Sequence, residues 1–378
     1  MKVVIAPTAF KGTLTPGEAA EAIASGIRQR YPDVEVDLVP ISDGGDGFLE
    51  CLEGPLAAER HSMVVRGPVH APVAAAYGLA RDGKAVVEAA QAVGMARLGP
   101  DGLDPLGASS GGLGELLAEV RQAGATRLLV GLGGSASTDA GTGMARALGY
   151  RFLDDAGQQL AEGGGSLSRL AHIEPSDFDP SWLMLSIQVA CDVDNPLLGP
   201  AGTAAVYAPQ KGATAAEAQR LEEGMVRLAA VSRADLGVDA AFLEHAGAAG
   251  GLGFGFATFL GGHLTEGARF VLDTVDLPGR LSGAAVLVTG EGRLDGQSLH
   301  GKAPVAAGRL ARGQGVRAVA LVGSQGPGWE RAVGDAFDEV RVVAPGMPPP
   351  GTPDEAAKRL AAAASLIDLQ TRLHRARG

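Results

Sequence analysis

The sequence predicts an α/β protein in which both chain ends build one open parallel sheet and a second α/β domain is inserted between them. Three observations carry this expectation. The 378 residues exceed what one core usually organises. Both ends alternate short apolar runs with helical stretches, the texture of a layered parallel sheet. The middle instead begins with short β-like runs joined by tight turns, which reads as an antiparallel meander.

Residues 2–6, KVVIA, end at Pro7 and read as a buried strand. A helix start follows at Thr15-Pro16-Gly17-Glu18. Thr15 can cap, Pro16 suits the first helical position, and Glu18 completes a capping box, so a helix should run to about Arg30. Val34 to Val39 is the next strand. Residues 59–90 hold the runs RHSMVV, APVAAAYGLA and KAVVEAA. A helix at about 111–123, a strand at Arg127 to Leu132 and a helix at about 140–148 come next. A turn at Asp154 to Gly157, a strand at 187–191, a helix at 214–231 and a glycine-rich helix near 250–260 follow. Strands at Ala284 to Thr289 and Arg317 to Val322 then alternate with helices at Val305 to Arg312, Trp329 to Phe337 and Asp354 to Leu369. The expected domains are 1–60 with 283–378, and 61–282.

Composition narrows the function. With 46% apolar and 20% charged residues the chain can bury real cores. A net charge of −11 argues against a general nucleic-acid or anionic-membrane surface. Cys51 and Cys191 are too few for a disulfide framework, and no signal or spanning segment is evident, so a cytoplasmic protein is expected. The six lysines stand out in a chain that prefers arginine. Lys11, Lys211 and Lys302 each adjoin glycine, a setting that suits a compact point charge.

Five stretches could carry chemistry. Gly296 to Lys302 reads G-x-x-x-x-G-K, but Ala303 stands where a phosphate-binding P-loop needs a hydroxyl, and Gly290 to Asp295 separate it from the expected strand. A loop leading into a helix can still hold phosphate by its amides, and Glu291, Arg293, Asp295, Ser298 and Lys302 crowd this one. In GLGGSASTDAGTG, Gly133, Gly134, Ser135, Ser137 and Asp139 offer close-approach amides and hydroxyls; a structural turn capped by Asp139 would use some of the same residues. Asp192 and Asp194, beside Asn195, could bind Mg²⁺ or abstract a proton, and could equally cap the loop. Lys211 in APQKGA, and Asp43, Gly44 and Gly45 in SDGGDG, each place charge beside glycine after a strand-like run. Gly107 to Gly111 matches the hydrolase G-x-S-x-G, but no strand precedes it, so Ser109 or Ser110 reads as a helix cap. The histidines are scattered; only His300 draws notice, for its neighbours. Amide-lined loops, isolated cations and clustered acids together suit phosphoryl transfer to a small molecule.

The ordered set IAPTAFKGTLT, DGGDG, DPLGASSGGLGELL, GLGGSASTDAGTGMARALG, ACDVDNPLLGPAG, APQKGA, GAAGGLGFG and TGEGRLDGQSLHGKAP resembles the bacterial glycerate kinases, from Met1 to about Leu369. The resemblance implies a flavodoxin-like domain formed by both chain ends, with a mixed α/β domain inserted. It implies ATP-dependent phosphorylation of D-glycerate with Mg²⁺, most often at the 2-hydroxyl. Asp192 is the expected base, with Glu291 and Asp295 on the metal; these two assignments could be exchanged. Lys11, Lys211, Arg293 and Lys302 are expected to neutralise phosphate or the substrate carboxylate. No nucleic-acid or membrane partner is expected, and self-association is left open. The chain departs from the family pattern at Thr8-Ala9, where Asp-Ser is usual, at Ala108 for Thr and at Asp46 for Glu. Another small hydroxy acid as substrate, or a weakened ligand-binding sensor, are the alternatives.

Overall fold

The structure, a computed structural model, describes residues 1–99, 102–299 and 301–370. His300 lies outside them. The chain divides into two compact units, Met1–Pro55 with Ala268–Gly378, and Leu56–Gly267.

Along the chain, the first unit opens with β1 (Lys2–Pro7), α1 (Pro16–Arg30), β2 (Glu35–Leu38) and α2 (Phe48–Leu56). The second carries β3 (Ala58–Arg66), β4 (Pro72–Ala80), β5 (Lys84–Glu88), α3 (Ala89–Val93), α4 (Gly111–Gln122), β6 (Arg127–Leu132) and α5 (Thr142–Ala147). It continues through β7 (Arg151–Leu153), β8 (His172–Glu174), β9 (Ser186–Cys191), α6 (Thr203–Tyr207), α7 (Ala215–Asp235), α8 (Ala248–Leu260) and β10 (His263–Glu266). The chain returns to the first unit with α9 (Gly267–Thr274), α10 (Leu277–Arg280), β11 (Ala284–Leu294), α11 (Ala303–Gly313), β12 (Arg317–Gln325), β13 (Glu339–Val342) and α12 (Pro353–Ser365). The expected boundaries at 60/61 and 282/283 differ from the observed ones because α2 and β3 are separated by a single residue, and because α9 and α10 lie largely in the first unit.

The first unit is a five-stranded parallel sheet in the order β13-β12-β11-β1-β2. Counting this unit's strands alone, that is the 2-1-3-4-5 order of flavodoxin-like folds. Val3 and Ile5, Val286 and Val288, and Val319 and Leu321 share one core with Ile23 and Ile27 of α1 and Leu360 of α12. Their two-residue spacing is what one face of a strand requires. The capping box at α1 is formed: Thr15 Oγ1 accepts from the Glu18 amide at 3.2 Å, and Glu18 Oε2 accepts from the Thr15 amide at 2.8 Å.

Two expectations change here. Strand β11 runs on to Leu294 rather than stopping at Thr289, because β12 pairs with it as far as Leu294 and Gln325. Only Asp295 therefore separates the strand from Gly296, so the loop does have a strand before it and α11 after it; what it still lacks is the hydroxyl at Ala303. The helix expected over Trp329 to Phe337 is a single 3-10 turn at Trp329–Ala332, and Gly334 beyond it has φ +84°.

The second unit holds a six-stranded sheet in the order β10-β9-β6-β5-β4-β3. The β3-β4-β5 portion is the antiparallel meander, while β5, β6, β9 and β10 run parallel. The glycine-rich helix α8 starts irregularly: Ala249, Gly250 and Gly251 all have positive φ, so regular helix begins at Leu252. No helix among the described residues is long and apolar enough to cross a membrane.

Helices α1 and α12 meet at Gly26, where an added Cβ would lie 1.9 Å from the Ala361 carbonyl oxygen. Gly26→Ala should therefore destabilise the first unit by about 1–3 kcal/mol through overpacking, although alanine favours an isolated helix. Urea unfolding with an unchanged m-value and a lower midpoint is the expected result.

Candidate active site

In the first unit, a cavity of about 320 Å³ opens at the carboxyl ends of β1 and β11. These adjacent strands lie where the connections diverge, with β2 on one side and β12 on the other. Open parallel sheets bind ligands at such a point. The loop after β1 supplies Thr8, Ala9 and Lys11, and the loop before α2 supplies Ser42, Asp43 and Asp46. Strand β11 brings Glu291 and Arg293, and Lys302 stands at the start of α11. Lys11 is exposed and makes no ion pair among the described residues.

Glu291 is the unusual group. It is only 6% exposed, and burial pushes its pKa up to about 7. Asp43 pushes the same way, against Lys302 and the Ser298 hydroxyl. Lys302 Nζ and Ser298 Oγ each lie 3.4 Å from Glu291 Oε2. Glu291 Oε1 is buried with no hydrogen-bond partner among the described residues. A buried oxygen without a donor is costly, and a cation bound there would satisfy it. These residues fit Mg²⁺, which commonly takes one or two carboxylates together with substrate phosphates and water. Among the described residues no group of three or more His, Cys, Asp or Glu is placed to bind a metal.

The second unit has its own cavity, of about 60 Å³, at the carboxyl ends of the paired parallel strands β6 and β9. Leu132 and Cys191 are the last register partners. The residues just past them, Gly133, Gly134 and Ser135 on one strand and Asp192 on the other, line the space with Lys211, Tyr207 and Gly250. Lys211 is 3% exposed. Its ammonium donates to Ser135 Oγ at 3.2 Å and the Ser137 carbonyl at 2.6 Å. It forms no ion pair among the described residues. Burial lowers its pKa to about 8, against the attraction of Asp139 and Asp192. Gly250 is required beside it. A Cβ there would lie 2.0 Å from the Ser137 carbonyl and 2.8 Å from Lys211 Nζ, and φ is +76°.

With both cavities described, comparison with known proteins is decisive. The sequence model of the glycerate kinase family matches residues 3–372. The chain belongs to the glycerate kinase family. A Halalkalibacterium halodurans protein named glycerate kinase is 41% identical over 89% of each chain. A glycerate 2-kinase of Escherichia coli K12 is 39% identical over 86% of this chain and 85% of its own. A crystal structure from Salmonella typhimurium LT2, provisionally described as a glycerate kinase 2, superposes with a TM-score of 0.81 at 36% identity. That match covers 97% of this chain and 96% of that one.

Within this glycerate kinase family fold, the expected site residues divide three ways. Lys11, Asp43, Glu291, Arg293 and Lys302 line the first cavity. Gly133, Gly134, Ser135, Asp192 and Lys211 line the second. The others line neither. Asp295 accepts from the Gln297 and Ser298 amides at 3.0 and 3.3 Å and pairs with Arg293 at 3.3 Å. Ser298 acts on Glu291, and the Gly44 and Gly45 amides turn back to Ser42 Oγ and Asp43 Oδ1.

Asp139 is fully buried as the hub between α4 and α5. It accepts from the Ser110 amide and hydroxyl, both at 2.8 Å, and from the Gly141 and Gly143 amides. The capped structural turn is thus the use the structure makes of it. Ser137 gives its carbonyl to Lys211, and its buried hydroxyl has no partner among the described residues. Asn195 accepts from the Tyr207 hydroxyl and donates to the Ala201 carbonyl at 2.7 Å. In the G-x-S-x-G match, Ser109 Oγ accepts from the Gly111 amide at 3.0 Å and donates to Glu162 at 2.6 Å. That is a helix-end role.

Tyr207, Gly250 and Asp46 escaped sequence reasoning as site residues. Tyr207 sits one residue before the quoted APQKGA, and Gly250 lies inside what reads as an ordinary glycine-rich helix. A run of two glycines at a helix start was the available signal.

Lys211→Met should stabilise the protein near neutral pH. The charge costs about 3 kcal/mol in the folded state, from its ordinary 10.5 to about 8. Losing two hydrogen bonds offsets part of that, leaving a net gain of about 1–2 kcal/mol. Below pH 8 both folded and unfolded states carry the proton and the cost is complete. From 8 to 10.5 the folded lysine releases its proton first, so wild-type stability rises relative to the variant. Chemical denaturation at pH 7 and pH 10 measures the narrowing gap.

Proposed function

We propose that the protein transfers the γ-phosphoryl group of ATP to the 2-hydroxyl of D-glycerate, giving 2-phospho-D-glycerate and ADP. The observation that carries this reading is Lys211: a buried ammonium whose hydrogen-bond partners among the described residues are neutral, in a small cavity it shares with Asp192. Such a group is held ready for an anion, and a carboxylate the size of glycerate's suits the space. Family membership supplies the substrate class.

In this reading Lys211, Ser135 and the amides of Gly133 and Gly134 hold the glycerate carboxylate. Asp192 accepts the proton of the attacking hydroxyl. In the first unit Lys11, Arg293 and Lys302 offset the charge of the nucleotide phosphates. Glu291, with Asp43 or through water with Asp295, would hold Mg²⁺, which neutralises phosphate charge when bound. Thr8 and Ala9, the departures from the family pattern, both line this cavity, and Thr8 Oγ1 donates to the Gly290 carbonyl at 3.1 Å. The three cations and Glu291 stand beside them, which favours an active kinase over a sensor.

A coupled ADP-release assay with Mg-ATP and a panel of hydroxy acids tests the proposal, with product position read by NMR. Glycerate-dependent turnover with phosphate on carbon 2 is expected. Turnover on another acid alone, or binding without turnover, would count against it. Asp192→Asn should lower kcat by roughly 10²–10⁴-fold with a small change in glycerate KM, the range for removing a general base; near wild-type turnover would end the assignment of Asp192.

A further inference from the structure

A second cavity of about 300 Å³ in the first unit is apolar where its neighbour is charged. Phe10, Leu14, Met347, Leu360 and the run Pro348-Pro349-Pro350 line it. It lies beyond the carboxyl-terminal parts of β11, β12 and β13, reached at Gly292, at Gly323 and Ser324, and at Val343. Two residues, Lys11 and Gly292, line this cavity and the Glu291–Lys302 cavity alike. We propose that the apolar cavity seats the base of the nucleoside triphosphate, with the phosphates leading past Lys11 into the charged cavity. This rests on reading the charged cavity as the phosphate site.

The chemistry matches from one cavity to the next. Proline rings, a phenylalanine and a methionine give flat, polarisable surface of the kind a purine stacks on. Lys11 stands at the junction with no ion pair among the described residues, where the first phosphate would pass. Gly292 presents bare backbone to both cavities at that junction. The proline wall is anchored, because Arg359 donates to the Pro348 carbonyl at 2.6 Å and is itself paired with Glu355 on the same helix. Ser324 Oγ is only weakly engaged, 3.4 Å from the Gly292 carbonyl oxygen, and is available to the base or ribose. Each cavity alone is at the lower end of the roughly 300–1,000 Å³ typical of small-molecule sites, so a nucleotide would need both.

Ala344 lines the cavity, and Ala344→Trp would fill it. Calorimetry with Mg-ATP and with inorganic tripolyphosphate separates base from phosphate binding. The variant should bind Mg-ATP at least tenfold more weakly while its tripolyphosphate affinity stays within twofold of wild type. As a second measurement needing no variant, 8-azido-ATP photolabelling of the wild-type protein should mark the segment from Val343 to Pro350. Unchanged ATP affinity in the folded variant, or label confined elsewhere, overturns the inference. If wild type turns over glycerate with ATP while either result holds, only this inference falls; if wild type neither binds ATP nor turns over glycerate, the proposed function falls with it.

Discussion

A lysine kept in the protein interior with no ion pair among the described residues is the constraint around which the second unit is arranged. Removing an ammonium from water is unfavourable unless hydrogen bonds and an opposite charge replace the lost hydration. At Lys211 the chain supplies the first, and the second only through the field of Asp139 and Asp192, with no ion pair among the described residues. Two oxygens from the turn after β6 hold the ammonium, and Asp192, after the adjacent strand, draws on it from within the same cavity. The turn is itself fixed from outside, since the Met95 amide donates to the Gly134 carbonyl and the Ala136 amide to the Val93 carbonyl. The left-handed entry to α8 completes the arrangement, because only glycine at 250 leaves room for the ammonium and the Ser137 carbonyl together.

The first unit presents the complementary deficiency. Glu291 is a buried carboxylate with one oxygen lacking a donor among the described residues, in a cavity where Asp43 and Asp46 stand with Lys11, Arg293 and Lys302. One unit holds a buried ammonium with neutral hydrogen-bond partners, and the other a buried carboxylate oxygen without a donor among the described residues. Stable proteins seldom leave such groups incomplete, and those that do keep them where a ligand finishes the coordination. In the proposed reading the ammonium's site would take the acceptor's carboxylate and the carboxylate's site the nucleotide with its metal.

The layering of the fold was legible because it follows from periodicity. KVVIA, the capping box at Thr15 and the meander over 59–90 all announce themselves within a few residues. What escaped was set by partners distant in sequence. Strand β11 continues through Gly290 and Gly292 because β12 lies alongside, which nothing in TGEGR reveals. Strands β7, β8, β10 and β13, three or four residues each, are too short to carry a pattern. At the site, motif reading found the charged residues but could not sort them. Asp139 and Asp192 look alike in sequence, each an acid in the loop that follows a strand. One is enclosed by four donors from its own unit, and the other lines a cavity. That distinction depends on what approaches from α4 and α5, so three dimensions were needed to draw it.

The most direct test of this account is a ¹³C NMR titration of the lysine Cε resonances, tractable because the chain has only six lysines. The account predicts one resonance, absent in a Lys211 variant, that titrates near pH 8 in the free protein and moves upward by at least one pH unit when D-glycerate is added. A Lys211 that titrates with the exposed lysines, or whose midpoint is indifferent to glycerate, would contradict it.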